Sequence, residues 1–194
     1  LSPFTLMSAT FSTGLLERLA ELLSAEIVSI ETEAKQANQP SELEQLMQGR
    51  QRRFYTQSQP MQAEQILDVH DGCSLVICNT VARAQQMYLQ LRDAIEQRDS
   101  PTQVMLLHSR FISEDRQAKQ AELEAEMGSS RWQANHYTGK DLIVVATQVV
   151  EVGVDISART LHSEIAPANS IIQRAGRCAR FAGQQGTVYL YPLG

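Results

Sequence analysis

The sequence predicts an open, doubly wound α/β domain over residues 61–194, a mainly parallel sheet with helices on both faces. Two observations predict it. Short apolar runs recur through this stretch, at 75–78, 104–107, 142–146, 161–165 and 187–190. Segments of helical spacing alternate with them. A strand that is apolar on both sides has to be covered on both faces, which is how parallel sheets are buried. Ligands of such a sheet are expected at the carboxyl ends of its strands.

Taken in order, Thr5-Leu6-Met7 reads as a strand end and Ser8-Ala9-Thr10 as a turn. Leu15, Leu16, Leu19, Leu22 and Leu23 recur at helical spacing and predict an amphipathic helix over 14–24. Residues 27–30 form a short strand candidate, and 31–48, rich in Gln and Glu, read as a linker with a weak helix at 42–47. Arg50, Arg52 and Arg53 precede Phe54-Tyr55, an expected edge strand, and the first division of the chain is drawn at 1–60. Beyond it, a helix over 63–69 leads to a turn at Asp71-Gly72 and the strand 75–78. Thr80 is placed to cap a helix over 81–97. The strand 104–107 is followed by a helix over 113–127. The strand 142–146 is followed by Thr147 and a short helix, the run 161–165 by a helix over 169–176, and the strand 187–190 closes the series.

Of the 194 residues, 43% are hydrophobic and 20% charged, so a normal core can form and global disorder is not expected. The longest apolar run, 142–146, is far below the roughly 18 residues a membrane span needs, and no signal peptide is visible. The chain opens at Leu1 without a Met start, which suggests a fragment of something longer. Cys73, Cys78 and Cys178 do not pair evenly and form no Cys-x-x-Cys, so neither a disulfide framework nor a zinc knuckle is expected and a reducing cytoplasm fits. The net charge of −5 argues against a general nucleic-acid coat. The charge is unevenly spread, with 11 basic and 18 acidic groups in residues 1–130 against 6 and 4 in 131–194. An acidic total is therefore compatible with a local anion site.

Three segments are candidates for chemistry. In ATQVVEVGVDI (146–156), Thr147 offers a hydroxyl and an amide at a helix start, Gly153 allows close backbone approach, and Asp155 offers a carboxylate for a ribose hydroxyl or a cation. A capped helix and a tight turn would explain the same residues. In QRAGRCAR (173–180), Arg174, Arg177 and Arg180 recur every third residue and would share a helix face, where something anionic has to offset them. A nucleotide triphosphate fits, and a solvated basic face is the plainer alternative. In LLHSRF (106–111), Ser109 and Arg110 could hold a phosphate backbone, while His108, like His70, His136 and His162, reads as structural. Thr80 could hold a second backbone phosphate, though capping alone accounts for it.

Several fingerprints are missing. Gly139-Lys140 is the one Gly-Lys pair, and Ala134 before it and Asp141 after it break a phosphate-cradling loop. No acidic pair for magnesium follows an apolar strand, and no Ser-His-Asp or Cys-His nucleophile motif is recognisable along the chain.

The 146–156 and 173–180 segments resemble motifs V and VI of superfamily-two helicases, and Ser8-Ala9-Thr10 resembles motif III. With LVICNT (75–80) and LLHSRF followed by Asp115-Arg116, the chain is similar to the helicase–nuclease of type I CRISPR systems, strongly over 75–194 and weakly over 31–60, where only the Arg52-Arg53-Phe54 stretch resembles it. The resemblance implies RecA-like architecture: 1–60 as the end of a first lobe and linker, and 61–194 as the second lobe of an ATP-dependent motor on single-stranded DNA. Residue by residue, it implies that Arg177 and Arg180 reach the γ-phosphate and Gln173 positions the nucleotide and attacking water. Gly153 and Asp155 would face the nucleotide, and Thr80, Ser109, Arg110 and Thr147 the nucleic-acid backbone. Ser8 and Thr10 would couple hydrolysis to DNA binding. ATP and Mg2+ would be held mainly by the first lobe.

The implied partners are single-stranded DNA, the first lobe and a metal nuclease domain of the same polypeptide, and a CRISPR surveillance complex; no membrane is implied. The lobe alone should be inactive as an ATPase and bind DNA weakly, without sequence preference and with strong salt dependence. Another superfamily-two restriction or repair translocase is the nearest rival. A catalytically silent RecA-like module is a rival of another class, and a small-molecule enzyme lacks any fingerprint.

Overall fold

Buried aliphatic strands fix the architecture of the domain. The computed structural model describes residues 13–24, 49–151 and 153–194, and the chain divides into two units, 1–47 and 48–194. In the first, helix α1 spans Thr13–Leu23, as the leucine spacing predicts, with Leu22 and Leu23 exposed and Arg18 paired to Glu21 at 2.7 Å. Ser8, Thr10, the 27–30 strand and the 31–48 linker lie outside the described residues.

The second unit is a six-stranded, wholly parallel sheet. Its strands are β1 (Gln51–Thr56), β2 (Cys73–Ile77), β3 (Gln103–Leu107), β6 (Leu142–Ala146), β7 (Thr160–Glu164) and β8 (Gln185–Tyr191), in the order β1-β8-β7-β2-β6-β3. The helices are α2 (Ala63–Asp68), α3 (Val81–Gln97), α4 (Ser113–Met127) and α5 (Ala168–Ala175). The sheet recruits Gln51–Thr56 as its edge strand, in parallel register with β8, so this unit starts at Gln48, ahead of the division drawn at residue 61.

Every residue of β2, β6 and β7 is buried. Alternate side chains feed two cores. Leu75, Ile77, Val144, Leu161 and Val188 pack with Leu123 and Met127 of α4 on one face. Val76, Ile143 and Val145 pack with Ile66, Met87 and Leu91 on the other. Burial of this kind contributes roughly 1.5–3 kcal/mol per large aliphatic side chain.

The fourth run differs from its expectation. β7 reads Thr-Leu-His-Ser-Glu and has one aliphatic residue, yet it is buried, with partners for its polar groups apart from His162 Nε2. His162 Nδ1 lies 2.8 Å from the Tyr191 hydroxyl, Ser163 donates to Glu164 O, and the Glu164 carboxylate accepts from the Asn79 amide and from Arg83. A hairpin, β4 (Trp132–Gln133) and β5 (His136–Tyr137), stands between α4 and β6 and has no signal in the apolar pattern. The short helix after Thr147 is a single 3-10 turn, Gln148–Val150.

Candidate nucleotide and nucleic-acid site

Parallel strands bring their carboxyl ends to one edge, and there the chain gathers Thr80, Ser109, Arg110 and Thr147. Ser109 and Arg110 are exposed in the turn that leaves β3. Thr80 is exposed, and its Oγ1 accepts the Arg83 amide at 3.2 Å, so it caps α3 as its position predicts. Thr147 differs from its expectation: it is 2% exposed and its amide donates to Leu107 O, so neither group is turned outward for a phosphate. The backbone loop does the inward work. Asn79 takes Glu164 through its amide nitrogen, donates from Nδ2 to Ile165 O at 2.9 Å, and accepts from Arg174 at 3.0 Å.

The three arginines do not share a helix face. α5 ends at Ala175, and only Arg174 lies on it. Cys178 then bridges in parallel to Ala158, just ahead of β7, so the turn that carries Arg177 and Arg180 has travelled back along the sheet from its carboxyl edge. A crossover between parallel strands must make this return.

Each guanidinium meets an internal partner, which corrects the expectation that an external anion is needed to offset them. Arg174, 4% exposed, pairs through Nε with Glu151 at 2.8 Å and through Nη1 reaches Asn79 Oδ1, Ser163 Oγ and Glu164 O. Arg177, 8% exposed, donates to Val150 O at 2.9 Å and Glu151 O at 2.6 Å. Burial lowers its pKa, the neighbouring Arg180 pushes the same way, and Asp155 opposes both. Arg180 alone of the three is partly open to solvent, and it pairs through Nε with the exposed Asp155 at 2.5 Å.

The Arg180 backbone is held from below. Its amide donates to Ser157 Oγ at 3.0 Å, and Ser157 donates on to Gln184 Oε1 at 2.6 Å. Gln184 Oε1 also accepts the Phe181 amide, so one buried amide side chain pins the carboxyl end of the turn at Arg180 and Phe181. Gly153, the other residue assigned to the nucleotide, is exposed at φ +81°, and a Cβ there would meet nothing within 4 Å. Gln173 is half-buried on the last turn of α5.

Asp155, Gly153 and Arg180 therefore present an acid, a bare backbone and a cation on one open surface. That donor set fits a nucleotide, with a carboxylate for hydroxyl groups and a guanidinium for phosphate. Among the described residues no group of three His, Cys, Asp or Glu side chains converges. Two clefts, of about 450 and 320 Å³, lie elsewhere: one beside Met61, Arg83 and Gln86, the other beside Tyr88, Phe111 and Lys119.

One constellation has no sequence motif. His70 Nδ1 lies 2.6 Å from Ser74 Oγ and its Nε2 lies 2.5 Å from Asp141. Ser74 is wholly buried on β2, so no substrate carbonyl can reach it, and the trio ties the amino ends of β2 and β6 together. Sequence reasoning missed Asn79, Glu151, Ser157, Glu164 and Gln184. Only the placement of Glu151 within the 146–156 segment and of Asn79 before Thr80 hinted at two of them.

Comparison with known proteins identifies the family and the fold. A family described as CRISPR-associated nuclease/helicase Cas3, C-terminal, matches residues 70–183. A putative Cas3 of Methanocaldococcus jannaschii is 36% identical over 107 residues, 54% of this chain and 13% of its own length. The Escherichia coli Cas3 is 33% identical over 105 residues, 54% of this chain and 11% of that protein. A crystal structure of T. fusca Cas3 with ATP superposes with a TM-score of 0.60 at 26% identity, covering 76% of this chain and 19% of that one. S. cerevisiae Dbp5 superposes at 0.61 over 95% of this chain and 43% of that one, at 17% identity, and shows the same fold.

Proposed function

The chain belongs to the C-terminal family of CRISPR-associated nuclease/helicase Cas3, and from that we propose that it is the arginine-bearing second lobe of an ATP-driven motor on single-stranded DNA. It forms a Cas3-like, RecA-like helicase lobe and spans less than a fifth of the length of the Cas3 relatives given above. The motor reading, its partners and its setting in a reducing cytoplasm are our proposal. In this reading a first lobe of the same polypeptide binds ATP and Mg2+, a metal nuclease domain completes the protein, and a CRISPR surveillance complex recruits it.

The observation that carries the reading is the exposed Arg180–Asp155 pair beside Gly153. An exposed ion pair is worth roughly 0.2–1 kcal/mol, so Arg180 can exchange partners at little cost. An arginine delivered to a phosphoryl group in transfer is worth roughly 10³–10⁵ in rate. When the lobes close, Arg180 turns from Asp155 to the γ-phosphate, and the released carboxylate faces the ribose. Arg177 holds the 150–151 turn through two carbonyls, each bond to a charged donor contributing roughly 1.5–3 kcal/mol, so it contributes charge from a fixed position. Gln173 orders the nucleotide and water. Thr80, Ser109 and Arg110 meet the nucleic-acid backbone at the carboxyl edge, without reading bases.

The enclosure of Arg174 and Arg177 by internal partners favours a second reading, a structural lobe without catalytic arginines. ATP hydrolysis separates the two. This chain alone should show no DNA-stimulated turnover. In the intact protein, Arg180→Ala should lower kcat by at least about a hundredfold with ATP binding retained. Unchanged turnover in that variant refutes the motor role of Arg180 and leaves the structural reading.

A further inference from the structure

We propose that Arg52, on the edge strand outside every helicase-like motif, is a positioning residue that sets the arginine turn by clamping the two carbonyls between Arg177 and Arg180. Its functional part rests on the reading of Arg180 given above. Five of the six residues of β1 are exposed, and Arg52 is the exception. Its Nε donates to Cys178 O at 2.5 Å and its Nη2 to Ala179 O at 3.2 Å. The other backbone groups of this turn already have partners: Arg177 O accepts from Ala158, the Cys178 amide donates to Ala175 O and the Ala179 amide to Ala158 O. Arg52 supplies donors to the two carbonyls that neither helix nor strand serves.

The geometry is specific. Arg52 stands opposite Gly186 in the β1–β8 register. Having no side chain, Gly186 lets the turn approach: a Cβ there would stand 2.5 Å from Cys178 Sγ and 3.2 Å from the Ala179 Cβ. Ala179 itself sits at φ +46°, a conformation an alanine adopts only when its surroundings enforce it. A planar fork that grips two successive carbonyls enforces it, and a lysine, with one point donor, cannot.

Stability alone does not account for this choice. Arg52 makes no ion pair with a carboxylate among the described residues, and it stands near Arg50 and Arg180, whose charges oppose its own. A half-buried cation without an acid partner is a poor stabiliser. A guanidinium is nonetheless placed there, aimed at the turn that carries the exposed arginine.

Two measurements test the clamp. The first is hydrogen exchange of this chain, with and without Arg52→Ala. Exchange at the 178–180 amides should rise about tenfold or more while β6 is unchanged, the signature of local rather than global opening. Equal exchange overturns the clamp whatever the activity. The second is steady-state ATP hydrolysis by the intact protein. Arg52→Ala should lower kcat about tenfold with KM for ATP within about twofold, equal to about 1.4 kcal/mol of lost transition-state stabilisation. Arg52→Lys, which keeps charge and packing, should lose most of the same factor. Arg52→Ala added to Arg180→Ala should cost nothing further, because a positioning residue acts only through the group it positions. If Arg180→Ala collapses turnover while both Arg52 variants match the parent, or if the two losses multiply, the inference is wrong and the motor reading stands. If Arg180→Ala is silent, the motor reading falls and takes the functional part of the clamp with it.

Discussion

Gly186→Ala probes the tightest approach in the arginine turn. The added Cβ would lie 2.5 Å from Cys178 Sγ and 2.9 Å from Arg159 O. Comfortable contacts of this kind lie near 3.5–4 Å, so the sulfur has to move by about 1 Å. It has nowhere free to go. Cys178 is buried, its backbone bridges Ala158, and its Sγ already stands 3.5 Å from Arg159 O and 3.6 Å from Thr187 O. Overpacking by one methyl in such a site costs about 1–3 kcal/mol. Taking 2 kcal/mol, the melting temperature of a chain this size should fall by about 4–8 °C. Differential scanning calorimetry reads it. Cys178→Ala in the same background removes the sulfur and leaves the clash with Arg159 O, so it should restore part of the loss. A Gly186→Ala variant that melts within about 1 °C of the parent would refute the close approach and weaken the account of how the turn is seated.

Three further outcomes are expected. Burial pushes the pKa of His162 down to about 3, and its Nε2 has no partner that could accept a proton. The unfolded chain takes up that proton near pH 6.5, so stability should fall as the pH drops from about 6.5 toward 3, by up to about 1.4 kcal/mol per unit. The unfolding free energy from denaturant melts should fall more steeply with falling pH across that range for the parent than for His162→Gln; equal slopes against pH would exclude His162 as the source. Burial raises Cys73, Cys78 and Cys178 to about 12. Iodoacetamide at pH 8 should label none of them in the folded chain and all three in denaturant, by mass spectrometry; labelling of the native protein at any of the three would contradict their seating. Arg174→Ala leaves Glu151 and Asn79 without their buried partner and should cost about 3–5 kcal/mol in chemical denaturation, with a loss below about 1 kcal/mol showing that the network is not held by this residue.

Elements whose cause is local were legible in the sequence. Helices 81–97 and 113–127 and strand 142–146 match their expected bounds residue for residue, because a cap, an acidic first turn and an aliphatic run each act over short distances. The family resemblance, carried by strings near strand ends, is borne out by the family match. What stayed hidden is long-range. The strand expected at 161–165 forms at Thr160–Glu164, but the reason for its burial was hidden, since His162 and Glu164 are met by the distant Tyr191, Asn79 and Arg83. The regular spacing of Arg174, Arg177 and Arg180 suggested one helical face, and the helix stops too early for it. Gln184 lies in no pattern, although it holds the carboxyl end of the arginine turn, because a side chain that serves backbone amides needs no neighbours of its own type.

The ion pair between Arg180 and Asp155 has a consequence for the lobe when it stands by itself. A cation parked on an acid of its own chain presents little net field to the surrounding solution, so stray phosphates find no unmet charge to settle on. The pair is weak, however, so in the proposed motor an anion held at the correct distance and angle by the first lobe wins the guanidinium over at little cost. On that proposal, selectivity comes from the docking of two bodies more than from the affinity of the arginine for a small ion in passing.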